Sequence, residues 1–264
     1  RKVLLGFVLA LYPLGQFIGA PVLGALSDRY GRKPVLLNSL VVTTICYALF
    51  AHALSEMNLL LFMLISFIAG LAEANIAIAQ SAVADVSTPA NRTRLFAYIS
   101  LFASGAFVVG PYIGGRMSDP EVMSWFDYHI PYWFVFFLLI LSLVLIAFVF
   151  RETLPETARR RVSYTEAFTN LAKVVEPGGP RSIYLANFLI FFSVFGFFRA
   201  FPIYLVERFG MGVSEISNYI AWNAVPIVLS SVWLAGFLAK RYPPRAITLY
   251  FSIVFGLACL VLSL

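Results

Sequence analysis

Charged residues are scarce: lysine, arginine, aspartate and glutamate make up 12% of the 264 residues, against about a quarter in an ordinary soluble domain. With 61% of the chain hydrophobic, too little polar surface exists to cover a water-soluble fold of this size. Lipid as the surrounding solvent removes the difficulty. Histidine and cysteine are nearly absent, at two each. His52 and His129 are read as lying toward the outer loops, His52 at the edge of an apolar run. No H-E-x-x-H and no nucleophile elbow occurs, so the chain is expected not to be an enzyme. Cys46 and Cys259 lie inside apolar runs, at a spacing that matches no metal or redox motif, and neither a metal nor a cofactor is expected. Also missing is the ten-residue alternation of apolar and polar positions that a membrane β-barrel needs.

What the chain does have is continuous apolar runs of about twenty residues, the length at which a helix crosses a bilayer. Hydrocarbon offers no partner to backbone amides, so such runs must be helical. Eight spans are predicted, at 3–27, 34–54, 58–84, 93–117, 131–150, 182–206, 215–239 and 246–264. The expected fold class is all-α, a polytopic transmembrane helical bundle embedded in a lipid bilayer.

Basic residues orient the spans, since Lys and Arg are retained on the cytoplasmic side. If the loop 28–34 is cytoplasmic, so are 85–94, 151–181 and 240–245. That side then holds fourteen of the nineteen Lys and Arg residues, the opposite side holds four, and Arg199 alone lies within a span. This asymmetry accounts for the net charge of +6 without a nucleic-acid partner. The long connection is organised differently from the others. Ser163 and Glu166 form an S-x-x-E capping box, Tyr164, Phe168, Leu171 and Val175 recur at helical spacing, and Pro177-Gly178-Gly179-Pro180 ends the pattern. These features predict a short amphipathic helix on the inner face. It joins an N-terminal bundle, 1–150, through the linker 151–181 to a C-terminal bundle, 182–264.

Between the first two spans runs Gly24-Ala-Leu-Ser-Asp28-Arg29-Tyr30-Gly31-Arg32-Lys33-Pro34. Read physically, it is a tight turn in which Gly24 permits close helix approach and Gly31 takes a conformation that other residues resist. The run resembles the G-x-L-x-D-R-x-G-R-[KR] signature of the major facilitator superfamily. Three further features are similar to that family. Gly105 and then Gly110-Pro111-Tyr112-Ile113-Gly114-Gly115 look like the G-P-x-x-G-G element of its antiporters, with Ala106 in place of the glycine four residues before Gly110. Arg151-Glu152-Thr153-Leu154-Pro155-Glu156 looks like the run after its sixth helix. Gly236 to Arg245 repeats the first motif, with Lys240 replacing the aspartate and Pro243 replacing the first loop glycine.

The resemblance covers the whole chain and is nearest to the drug–proton antiporter branch, which includes tetracycline exporters. It implies two related bundles with the eight spans as helices two to nine of twelve, so helix one and the last three helices are expected outside this chain. It also implies secondary transport of a small-molecule substrate in the plasma (inner) membrane, coupled to protons or another ion. Export of drug-like or metabolite compounds is the leading reading. An uptake symporter, or a receptor or scaffold on the same fold, is the alternative. In the family the motif's acid and second base pair with an acid ending helix four, and Asp28, Arg32 and Asp85 match those positions. Their expected role is a conformational latch.

Glu73 falls near the middle of the span 58–84, where an ionised side chain costs at least about 3 kcal/mol. Ser66, Glu73 and Gln80 recur every seven residues on one predicted helix face, with Gly70 and Ala77 as narrow neighbours. Glu73 is read as a proton-coupling or cation-recognising carboxylate, or else as a structural carboxyl bonded to a neighbouring helix. Ser66 stands where the family's exporters often carry an arginine. Arg199 could bind an anionic group, but snorkelling to the outer interface near Glu207 is the nearer reading. Asn187 and Asn223 are candidate cavity residues, for which interhelical hydrogen bonding serves equally well.

Overall fold

Among the described residues the long apolar runs are helical, and short turns separate most of them. The computed structural model describes residues 2–158, 181–234, 237–238 and 241–263. The helices are α1 (Lys2–Tyr30), α2 (Arg32–Ser55), α3 (Leu59–Glu73), α4 (Ile76–Val86), α5 (Arg92–Met117), α6 (Ile130–Val149), α7 (Arg181–Phe209), α8 (Val213–Leu229) and α9 (Pro244–Ser263). A 3₁₀ turn spans Glu156–Ala158, and a π-helical turn, Ser230–Leu234, follows α8. The predicted amphipathic helix at 163–175 and the repeated motif's Gly236 and Lys240 lie outside the described residues.

The sequence predicts eight spans, and among the described residues six helical stretches are long and apolar enough to cross a membrane. They are Leu4–Tyr30, Arg32–Ser55, Leu59–Val86, Arg94–Met117, Ile130–Val149 and Tyr184–Phe209. Two features depart from the prediction. The stretch 58–84 is interrupted after Glu73, where Ala74 and Asn75 form a turn before α4. Asn75 is a poor interior helix former, and its carbonyl accepts the N–H groups of Ile78 at 2.9 Å and Ala79 at 3.1 Å, which starts a fresh helix. The stretch 215–239 changes from the α-helical α8 to a π turn at Ser230–Leu234, and 235, 236 and 239 lie outside the described residues. Pro226 removes a backbone donor just ahead of that turn. By contrast, Pro202 does not end α7.

Packing divides the chain into two units: residues 1–100 with 114–176, and residues 101–113 with 177–264. In the first, α1 lies along α3, while α2 packs on α3 and α6. Gly15 and Gly19 of α1 and Gly70 of α3 make the close approach possible. A Cβ on Gly15 would sit 2.4 Å from the Phe67 carbonyl oxygen, and one on Gly19 would sit 2.3 Å from that of Leu71. Two apolar clusters fill the unit. One joins Cys46, Phe50, Ala53, Ile65 and Ala69, ringed by Tyr12, Phe62 and Tyr132; the other joins Val35, Leu36, Leu40 and Ile78. Side chains such as Phe148 and Val149 of α6 point outward, as a lipid-facing helix requires.

In the second unit, phenylalanines stack along α7 at i, i+4 spacing, Phe188 on Phe192 and Phe191 on Phe195. Phe197 meets Phe255 of α9, and Phe201 meets Tyr219 of α8.

Candidate functional site

Two polar assemblies interrupt the apolar first unit. One sits where α1 turns into α2. Gly31 occupies the turn with φ 102° and ψ 158°, a conformation that favours glycine. This tight reversal places Arg32 at the start of α2 with its side chain only 8% exposed. Its Nε donates to Asp85 Oδ2 at 3.0 Å, and its Nη1 donates to Asp28 Oδ1 at 2.6 Å and to Ser27 Oγ at 2.7 Å. The planar guanidinium thereby links the ends of α1 and α4 through the start of α2, using the fork that suits paired carboxylates. Asp85 is 20% exposed and Asp28 is 49% exposed.

Of the residues the sequence grouped in this motif, the structure brings together Asp28, Arg32 and Asp85, with Gly31 shaping the turn. Gly24 needs correcting. A Cβ there would meet nothing within 4 Å, so close helix approach is not its role. Its carbonyl instead accepts the hydroxyl of the buried Ser27 at 2.8 Å. Arg29 lies over the Tyr30 ring, 4.9 Å from its centroid, and not among the carboxylates.

Two participants have no role in the sequence reading, Ser27 and Glu152. The Glu152 carboxylate accepts the backbone N–H groups of Arg32 at 2.9 Å and Lys33 at 3.1 Å, and those of Thr153 and Leu154 at 3.0 Å each. Burial pushes this carboxyl upward, but the donors from Leu154, Arg32, Lys33 and Thr153 outweigh it and hold the group below the usual carboxylate range. Thr153 Oγ1 donates to Asp85 Oδ2 at 3.3 Å, and Lys33 Nζ donates to the Ala147 carbonyl at 2.7 Å. The sequence signals were the Arg151–Glu156 run and the serine preceding Asp28, but neither indicates its partner.

The second assembly surrounds Glu73 at the last position of α3. The glycine contact between α1 and α3 brings Tyr12 to it, and the Tyr12 hydroxyl donates to Glu73 Oε2. Gln16 Nε2 donates to the same hydroxyl at 3.2 Å. Tyr47 of α2 is a second hydroxyl neighbour of the carboxyl, although Oε1 meets no donor at strict hydrogen-bond geometry among the described residues. Thr43, one turn before Tyr47, has a buried hydroxyl in the same condition.

The helix that carries Ser66, Glu73 and Gln80 is interrupted by a turn at Ala74 and Asn75. Ser66 is buried and gives its hydroxyl to the Phe62 carbonyl at 2.8 Å, while Gln80 is exposed. Arg199, Asn187 and Asn223 are exposed on α7 and α8. Gly105, Gly110, Pro111, Gly114 and Gly115 all lie in α5, which runs through Pro111. A Cβ at Gly105, Gly110 or Gly114 would meet nothing within 4 Å.

Comparison with known proteins gives a consistent set of similarities. The family model for the Major Facilitator Superfamily matches residues 2–264. The class H tetracycline resistance protein of Pasteurella multocida is 30% identical over 264 residues, covering 98% of this chain and 63% of that protein. The class C tetracycline resistance protein of Escherichia coli is 32% identical, covering 90% of this chain and 58% of that protein. The chain thus spans about six-tenths of the length of these curated relatives. Among solved structures, the human organic anion transporter MFSD10 is similar in fold. Its TM-score is 0.65 at 24% identity, covering 84% of this chain and 54% of that one.

Proposed function

Because the chain belongs to the Major Facilitator Superfamily, matched over residues 2–264, we propose that its full protein is a secondary transporter working by alternating access. Its substrates on this reading are small drug-like or metabolite compounds, exported in exchange for protons. The relatives named for tetracycline resistance, and the multidrug resistance protein 2 of Bacillus subtilis at 24% identity, support that substrate class. The bias of basic residues supports a plasma-membrane orientation with 28–34, 85–94, 151–181 and 240–245 in the cytoplasm.

The observation that carries the reading is the Arg32 bridge. A nearly buried guanidinium holds two carboxylates from two other helices at 2.6 and 3.0 Å. Such a group resists partial loosening, because removing one partner leaves a buried charge exposed to an apolar surround. It therefore has two defined conditions, made and broken, as a two-state device needs. Made, it pins the cytoplasmic ends of α1, α2 and α4 in one arrangement. Broken, it frees them for the other.

Glu73 fits the coupling role. Its carboxyl is held at Oε2 by Tyr12, with Tyr47 beside it, and on this reading it is the group that takes up and releases a proton. Neutralising the carboxyl removes the burial cost of its charge, and ionising it restores that cost. The two protonation states thus favour different surroundings, which is how an ion gradient can bias a conformational equilibrium.

The test is flux in proteoliposomes containing the full-length protein, using a panel of radiolabelled amphiphilic compounds with and without an imposed pH gradient. Substrate movement opposite to proton movement is expected. Movement in the same direction makes the protein a symporter. No flux with any compound, at confirmed orientation, leaves the receptor or scaffold alternative.

A further inference from the structure

Helix α2 starts without a cap of its own. Its N-cap residue, Gly31, has no side chain to accept from the first free amides, which every helix leaves unsatisfied. Those amides are satisfied by a residue 120 positions later in the chain, Glu152, just beyond the end of α6. Each carboxylate oxygen takes one of them: Oε1 the N–H of Arg32 and Oε2 that of Lys33. Oε1 also accepts from Thr153 and Leu154, so the segment after α6 is folded around the same group. An anion at this position is favoured by the positive end of the helix dipole as well as by the hydrogen bonds.

The backbone that Glu152 grips belongs to the latch arginine. Arg32 must keep its Nε at 3.0 Å from Asp85 while its Nη1 reaches Asp28 at 2.6 Å. A displacement of about 1 Å at the start of α2 would carry one of these contacts out of hydrogen-bond range. Thr153, the next residue after Glu152, bonds Asp85 directly, and Lys33 bonds back to Ala147 in α6. The start of α2 is therefore joined to α6 and the segment after it by three hydrogen bonds, and the end of α4 by a further one.

We propose that Glu152 is the positioning residue of the latch: it caps α2 from the end of α6 and thereby sets the guanidinium of Arg32 between its two carboxylates. The segment that begins the inter-bundle connection is then a working part of the latch, and movement at 151–155 loosens or tightens it. The functional half of this statement rests on the transport reading above; the capping half does not.

Both halves are tested on the full-length protein. Hydrogen exchange in lipid nanodiscs reads the amides of Arg32 and Lys33 in the parent, in Glu152→Ala and in Glu152→Gln, which keeps one acceptor oxygen. We expect exchange at these two amides to rise about tenfold in the alanine variant, the size of a lost helix cap, and by less in the glutamine variant. Unchanged exchange in the alanine variant overturns the proposal. In proteoliposomes, Glu152→Ala should lower flux, and combining it with Arg32→Ala should lower flux no further than Arg32→Ala alone, since the two act through one group. Independent, additive losses also overturn it. If Arg32→Ala itself leaves flux intact, the latch reading fails, and the exchange result still decides whether Glu152 caps α2.

Discussion

Replacing Gly70 by alanine drives a methyl group into the contact between α1 and α3. The added carbon would lie 2.2 Å from the Tyr12 carbonyl oxygen and 3.1 Å from both Gln16 N and Gly15 Cα, where ordinary contact begins at 3.4 Å. All three are backbone atoms, so no rotamer change relieves the clash, and the helices must part by roughly 1 Å to restore contact distance. Overpacking of this kind costs about 1–3 kcal/mol, which lowers the melting temperature of a bundle this size by roughly 3–10 °C. The same displacement pulls Tyr12 from Glu73, because Tyr12 is the residue whose backbone is struck. Gly70→Ala is thus expected to impair proton-coupled flux as well as stability. Thermal unfolding in detergent, followed by tryptophan fluorescence, reads the first effect. Gly24→Ala serves as the control, since a Cβ at Gly24 meets nothing within 4 Å. Equal melting temperatures for the parent and Gly70→Ala would refute the reasoning.

Glu73→Gln should abolish coupling to a pH gradient while leaving substrate binding measurable, and a fully active glutamine variant eliminates the coupling role. Tyr12→Phe removes the donor on Oε2 and should lower thermal stability by about 1–3 kcal/mol, with no loss of stability if the bond is incidental. Asp85→Asn should reduce flux more than Asp28→Asn, because Asp85 is 20% exposed and Asp28 49%, and solvent screens the more open pair; the reverse order contradicts the geometry. Glu152 titrates below its ordinary value of 4.5 in the folded protein. Its contribution is therefore complete above that value and lost as pH falls through the lower folded pKa. Intrinsic-rate-corrected exchange at Arg32 and Lys33 should accordingly stay constant from pH 8 to pH 5, and a change within that window counts against the assignment.

Much of the architecture could be read from the chain because a bilayer imposes a length on every apolar run. The turn at Gly31 and the trio Asp28, Arg32 and Asp85 were also legible. The first two acids and bases are neighbours in a tight loop, and the third was placed by resemblance. Glu152 was not, since a carboxylate bonding amides 120 residues away leaves no trace in local pattern. Gly70 was read as a narrow neighbour of Glu73, but its partners Gly15 and Gly19 on α1 emerge only from packing. The break after Glu73 was hidden for a different reason. No proline or glycine marks it, and Asn75 alone hints at a restart, so the sequence is read as one unbroken helix through Ser66, Glu73 and Gln80.

Charge reversal at Asp28 in the full-length protein, with membrane abundance, substrate binding and flux measured in the same vesicles, tests the Arg32 bridge most directly. Asp28→Arg places a cation where Arg32 Nη1 now donates at 2.6 Å, so the bridge cannot close. The expected result is normal abundance and retained binding with flux reduced at least about tenfold. Flux equal to that of the parent would show that the Arg32 bridge is not what transport depends on.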